Sequence, residues 1–135
     1  MVSFTLGHAA PEVLQGERAT ARSDVYSLAS TLFELVAGRA PFLRAGEDSI
    51  VPAVMRTVNE PVPDLVRPDA PIGLMAVLTA AMAKDPESRP ADPAALGRLL
   101  QQVQREAGVP VTELRLDPKA GGADLDQSGA TVAVA

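Results

Sequence analysis

The stretch SDVYSLASTLFELVAG, residues 23–38, carries the strongest structural signal in the chain because it predicts a long helix with few polar faces. Ser23 is the expected N-cap, Asp24 suits the positive end of the helix dipole, and Gly38 is the expected stop. Apolar residues recur at the three- and four-residue steps of one helix face. They are Val25, Leu28, Leu32, Leu35 and Val36. A helix that is apolar nearly all round is expected to be central and buried.

Three more helices and a short helical turn are predicted around this central helix. Their expected bounds are Pro11–Gln15, Ser49–Val58, Ile72–Ala83 and Asp92–Ala107. Asp92 is the expected N-cap of the last helix, because a proline follows it at the first helical position. The methionines expected to fill the core are Met55, Met75 and Met82. A weak strand pattern follows over Val109–Leu116.

Length and charge limit the class of protein. The chain has 135 residues, with 12 Lys and Arg against 17 Asp and Glu, and a formal net charge of −5. We predict one all-α domain over residues 1–106 and a disordered, flexible tail over 107–135, whose later residues are mostly small and polar. The acidic balance and the 3% content of aromatic residues argue against a nucleic acid partner.

Several kinds of chemistry have no residues to carry them. The sequence has no cysteine and one histidine, which excludes thiolate metal sites and argues against a histidine metal site. It has no basic leader and no apolar run of about 18 residues, so we predict no membrane segment and a cytoplasmic location. Neither GxGxxG nor GxxxxGK[ST] occurs. A lone histidine is more often structural or solvated than catalytic, so His8 is expected to have no catalytic role. Residue types and spacing alone assign no reaction.

Four motifs, taken in order, add a family resemblance. They are TLGHAAPE at residues 5–12, ARSDVYSLA at 21–29, FELVAGRAPF at 33–42 and AKDPESRP at 83–90. Together they resemble the end of the activation segment, the central helix and the last loop of a protein kinase, with Ala10, Pro11 and Glu12 as the APE triplet. The resemblance runs from about residue 5 to about residue 102. It is to the C-terminal lobe of bacterial-type serine/threonine protein kinases.

The resemblance implies a role for particular residues. Thr5 matches the substrate-binding threonine of the loop that receives the residue after the phosphoacceptor. Glu12 matches the glutamate that pairs with an arginine inside the lobe, and Arg89 matches that arginine. Asp24 matches the helix aspartate that accepts hydrogen bonds from the catalytic-loop backbone. Ser3 lies where activation segments carry a phosphorylated hydroxyl, so Ser3 is the expected phosphorylation site.

The sequence departs from the family pattern in two ways. Phe4 stands where the family usually has glycine, and His8 stands where it usually has an aromatic residue that packs flat. The larger departure is the absence of the Gly-rich loop, the strand lysine, and the HRD and DFG motifs, which bind ATP and Mg²⁺ in the family. We therefore expect an N-terminally truncated lobe with no catalytic, cofactor-binding or metal-binding residue. Such a lobe would be inactive alone, with ATP and Mg²⁺ needed only by an intact kinase.

Three interpretations stay open at this point. The chain is the C-terminal part of a signalling kinase that phosphorylates a protein substrate. Alternatively, it is a non-catalytic helical module, derived from a kinase, that binds a partner protein through the uncovered face of its central helix. The third interpretation is a gene fragment without function that does not fold stably. Under the first two, the expected partner is a protein.

Overall fold

The computed structural model describes residues 6–116 and 132–134, and within them the fold is helical. The α-helices are α1 Pro11–Leu14, α2 Ala21–Ala37, α3 Val51–Asn59, α4 Leu74–Ala81 and α5 Pro93–Glu106. A 3-10 turn over Pro86–Ser88 precedes α5. Strand β1, Leu114–Leu116, pairs antiparallel with strand β2, Val132–Val134, in the register Leu114 opposite Val134. The helical class is thus confirmed, and a two-stranded ladder is added to it.

Helix α2 begins one turn earlier than its apolar pattern predicted. Its N-cap is Thr20, whose side chain accepts a hydrogen bond from the backbone N–H of Ser23. The Ser23 hydroxyl in turn accepts from the backbone N–H of Thr20 over 2.6 Å, which completes a capping box. The prediction of Ser23 as N-cap is therefore wrong, because Ser23 occupies the third helical position. Gly38 ends the helix as predicted, with a left-handed φ of 86°.

Helix α2 lies at the centre of the core, but one of its apolar faces is open. Val25, Tyr26 and Phe33 are at most 1% exposed and pack in a single cluster with residues of α4 and α5. Leu28 and Leu35 are 49% and 76% exposed. They lie seven residues, or two helical turns, apart on the same face. The expectation of burial nearly all round is wrong for this face.

The remaining helices lie within about two residues of their predicted bounds, but not every residue predicted to fill the core is buried. Asp92 caps α5 as predicted, since its carboxylate accepts from the backbone N–H of Ala95 over 2.8 Å. Met82 lies in the core at 1% exposure, whereas Met55 is 55% exposed and does not fill it. The strand pattern over 109–116 forms only its last three residues as β1. No helix within the described ranges is long and apolar enough to cross a bilayer.

The segment after α5 returns along that helix. Thr112 donates its backbone N–H to the side-chain oxygen of Gln104 over 2.9 Å, and its carbonyl accepts from Gln101 over 3.0 Å. The Leu114 side chain lies directly over Gly97, where a Cβ would meet Leu114 Cδ1 at 2.8 Å. The domain boundary at residue 106 stays a prediction. Residues 117–131 and 135 of the predicted tail lie outside the described residues.

Candidate functional site

A buried ion pair joins α1 to the loop that precedes α5. Glu12 is in the first turn of α1, and Arg89 follows the 3-10 turn, 77 residues later in the chain. Both arginine Nη atoms donate to the carboxylate over 2.8 Å, one to each oxygen. The side chain of Arg89 is 0% exposed and that of Glu12 is 10% exposed. A bidentate pair of this kind is strong and sets a single relative orientation.

Arg89 also holds three backbone carbonyls. Its Nε donates to the carbonyl of Ala83 over 2.7 Å, and its Nη atoms donate to those of Arg22 and Lys84 over 3.0 and 3.3 Å. Its guanidinium carbon lies 5.1 Å from the centre of the Tyr26 ring. Arg89 therefore connects α1, the start of α2 and the preceding loop, and the ion pair predicted from the resemblance is present in the structure.

The electrostatics of Glu12 follow from this geometry. Burial by itself would raise the pKa of the Glu12 carboxyl. The hydrogen bonds from Arg89 and from the backbone, together with the positive charge of the guanidinium, outweigh burial and hold that pKa below its ordinary value near 4.5. Glu12 is therefore ionised at neutral pH.

The lowered pKa of Glu12 predicts loss of stability in acid. A carboxyl with a lower pKa in the folded state stabilises fully above its unfolded-state pKa and loses that contribution as pH falls through the folded value. We expect the difference in unfolding free energy between the wild type and Glu12→Gln to be constant at pH 6–7 and to shrink below about pH 4.5. Urea denaturation at several pH values measures it. A matched control is Glu87→Gln, because Glu87 is 80% exposed and 3.9 Å from Arg22. A gap for Glu12→Gln that widens in acid would contradict the prediction.

A second cationic contact fastens the same loop to α3. Lys84 Nζ donates to the carbonyl of Thr57 over 2.6 Å and lies 4.5 Å from the centre of the Phe42 ring. Burial, aided by repulsion from Arg89, lowers the pKa of Lys84 to about 8, although Glu60 acts in the opposite direction. Neither the residue pattern nor the family resemblance indicated a role for Lys84. Its half-buried position depends on folding and cannot be deduced from its place in a polar loop.

The other residues suggested by the resemblance lie in different environments. Ala10 and Pro11 are buried beside Glu12. Asp24 is exposed in the first turn of α2, at the edge of a shallow groove that Ala10 and Ser27 also line. Its predicted role towards a catalytic loop stays a prediction. Ser3 and Thr5 lie outside the described residues.

His8 makes contacts that the sequence analysis did not foresee. Its Nδ1 lies 2.6 Å from Ser30 Oγ, and its Nε2 lies 2.7 Å from Glu34 Oε1. Ser27 donates its hydroxyl to the His8 carbonyl over 2.8 Å. The sequence feature that could have indicated these contacts is a row of polar residues at helical spacing on the otherwise apolar helix α2. Among residues 6–116 and 132–134, no group of three or more His, Asp or Glu is arranged to hold a metal ion.

Comparison with known proteins identifies the family. The protein kinase domain model matches residues 1–102. The chain therefore belongs to the protein kinase domain family.

Its relatives include bacterial serine/threonine protein kinases. It is 40% identical to serine/threonine-protein kinase PknK of Mycobacterium tuberculosis over 112 residues, which cover 83% of this chain and 10% of that protein. It is 42% identical to PknJ of the same organism over 90 residues, 65% of this chain and 15% of that protein. It is 36% identical to PknB of Mycobacterium leprae over 86 residues, 63% of this chain and 14% of that protein. The chain spans about a tenth of the length of the PknK relatives.

Proposed function

We propose that this chain is the C-terminal lobe segment of a serine/threonine protein kinase that signals by phosphorylating proteins. The buried bidentate pair between Glu12 and Arg89 carries the proposal. It joins the APE triplet to the loop AKDPESRP, so two of the four motifs meet through the contact that the resemblance implies. The similarity to PknK and PknJ supports the same assignment.

The second part of the proposal is that these 135 residues alone do not transfer phosphate. Phosphoryl transfer depends on positioned cations and on groups that orient the nucleophile and neutralise the developing charge. In kinases these groups belong to the Gly-rich loop, the strand lysine, and the HRD and DFG motifs. None of these motifs occurs in the sequence. ATP and Mg²⁺ would be held by residues other than these, and the substrate would be a protein. A cytoplasmic location is part of the same proposal.

A chimera tests both parts. In PknK of M. tuberculosis, the 112-residue segment that this chain matches would be replaced by the corresponding residues of this chain. We expect the chimera to incorporate labelled phosphate into a protein substrate, and the isolated 135-residue chain to incorporate none. A folded chimera without activity would contradict the assignment, and activity of the isolated chain would contradict the second part. Arg89→Ala in the chimera is the negative control. It is expected to abolish activity by unfolding the lobe.

The exposed face of α2 favours a second candidate function, a non-catalytic module that binds a partner protein. Leu28 and Leu35 present apolar surface two turns apart. Such a patch marks an interaction site when it is large enough. The double substitution Leu28→Asn and Leu35→Asn should then abolish a stable complex between the purified chain and a partner protein. Met55→Asn should preserve that complex, because Met55 is also an exposed apolar residue but lies on α3. A chain that sediments as a monomer and forms no complex would remove this candidate.

A further inference from the structure

The loop before α1, residues 6–10, is held on α2 through His8. The two imidazole nitrogens contact Ser30 and Glu34 over 2.6 and 2.7 Å, and the His8 carbonyl accepts from Ser27 over 2.8 Å. Ser27, Ser30 and Glu34 are three and four residues apart, so they lie along one face of the helix. The side chain and the carbonyl of His8 thus fasten the loop at three positions along one face of α2.

The chemistry of the two side-chain partners selects one form of the neutral imidazole. A carboxylate can only accept a hydrogen bond, whereas a hydroxyl can donate or accept. Nε2–H therefore donates to Glu34, and Nδ1 accepts from Ser30. Ser30 is 1% exposed, so a hydroxyl that loses its imidazole partner has little access to water. If packing of the ring alone held His8, neither imidazole nitrogen would take part in attaching the loop to α2.

We propose that His8 is a positioning residue whose hydrogen bonds to Ser30 and Glu34, rather than the packing of its ring, fix the loop of residues 6–10 on α2. An aromatic residue at this position supplies a flat ring but neither imidazole nitrogen. A role of this loop in positioning a protein substrate rests on the proposed function, because the loop follows Thr5, which the resemblance matches to the substrate-binding threonine. The attachment of the loop itself does not rest on it.

Nitrogen-15 spectra of the purified chain test the tautomer. His8 is the only histidine in the sequence, so the ring signals have one source. For the neutral ring we expect a protonated Nε2 and an unprotonated Nδ1. In Glu34→Ala the ring loses its acceptor, and a mixture of the two tautomers should appear. A wild-type ring that is already an even mixture, or is protonated at Nδ1, would overturn the proposal.

Hydrogen exchange tests whether the nitrogens hold the loop. The backbone N–H of Ala9 bonds to the Leu6 carbonyl within the loop and reports on its order. His8→Phe keeps a flat ring and should accelerate exchange at Ala9 by about ten- to hundredfold, the loss of two side-chain hydrogen bonds. Thr31→Ala is the matched control, because the Thr31 hydroxyl donates to the Ser27 carbonyl within α2 rather than to the loop. It should change exchange by less than about twofold.

Coupling between the variants decides the outcome even where one variant is unstable. The double variant His8→Phe with Glu34→Ala should exchange no faster than His8→Phe alone, because both remove the same contact. Should His8→Phe not fold, Ser30→Ala and Glu34→Ala with the imidazole intact make the same comparison at Ala9. Wild-type exchange at Ala9 as fast as in an unfolded peptide, or equal to that of His8→Phe, would overturn the proposal.

Kinetics of the PknK chimera test the consequence for substrate. His8→Phe should raise KM for the protein substrate several-fold and leave KM for ATP unchanged. An equal rise in both KM values would overturn a role in substrate positioning. A chimera with no activity before any substitution contradicts the proposed function alone, because the tautomer and exchange measurements use the isolated chain and are unaffected.

Discussion

Replacing Arg89 with alanine should lower the free energy of unfolding by about 3–5 kcal/mol, the cost of stranding one partner of a buried ion pair. The five N–H groups of its guanidinium make five hydrogen bonds, two to Glu12 and three to backbone carbonyls. Alanine removes all five and leaves the Glu12 carboxylate buried and unpaired. The effect should therefore exceed that of an ordinary ion pair, and chemical denaturation of both proteins measures it.

Arg67→Ala is the matched control for this substitution. Arg67 also makes a two-point contact with a carboxylate, that of Asp69, but the two side chains are 45% and 69% exposed. An exposed pair contributes little to stability, so Arg67→Ala should cost far less than Arg89→Ala, although it also removes the hydrogen bond from Arg67 to the Val36 carbonyl. The double substitution Glu12→Gln with Arg89→Met should recover part of the loss, because no buried charge is left unpaired. If Arg89→Ala costs no more than Arg67→Ala, the buried pair is not what joins α1 to the last loop.

The ion pair also shows how far the sequence could predict this site. No periodicity links Glu12 to Arg89, which are 77 residues apart. The pairing was predicted only because AAPE and KDPESRP occur in the order of the kinase family. The three further carbonyl contacts of Arg89 were not predicted, since they depend on how the chain turns after α4. The motifs therefore predicted the two partners of the ion pair, whereas the other contacts of the Arg89 guanidinium depend on the fold.

Helix α2 shows a limit of a different kind. Apolar residues on nearly every face predict burial everywhere, and the pattern contains nothing to distinguish Phe33 from Leu35. The distinction comes from packing, since α4 and α5 contact one side of α2. The N-cap also differs from the predicted one for a reason that the apolar pattern does not contain. Thr20 and Ser23 are both good caps, and only the capping box selects Thr20. The side-chain contacts of His8 were the least predictable, because they join a lone histidine to polar residues more than 20 positions away.

Replacing Phe33 with alanine should cost about 3–5 kcal/mol of unfolding free energy, the range for a large aromatic deleted from a core. Phe33 is 1% exposed in the central cluster, so its removal leaves a cavity that the surrounding helices fill only in part. The same substitution at Leu35, which is 76% exposed on the same helix, should change stability by about 0.5 kcal/mol or less. Denaturation of both variants and the wild type provides the comparison.

This pair of variants also tests the relation between the isolated chain and a longer kinase. If other parts of a kinase cover the open face of α2, Leu35 becomes a buried residue in the PknK chimera. Leu35→Ala should then cost about 2–5 kcal/mol in the chimera, the usual effect of a Leu→Ala substitution in a core. Phe33→Ala should cost about the same in both settings, because its surroundings come from this chain. If Leu35→Ala is equally mild in the chimera, that face is open there too, and the apolar surface needs a partner other than the kinase itself.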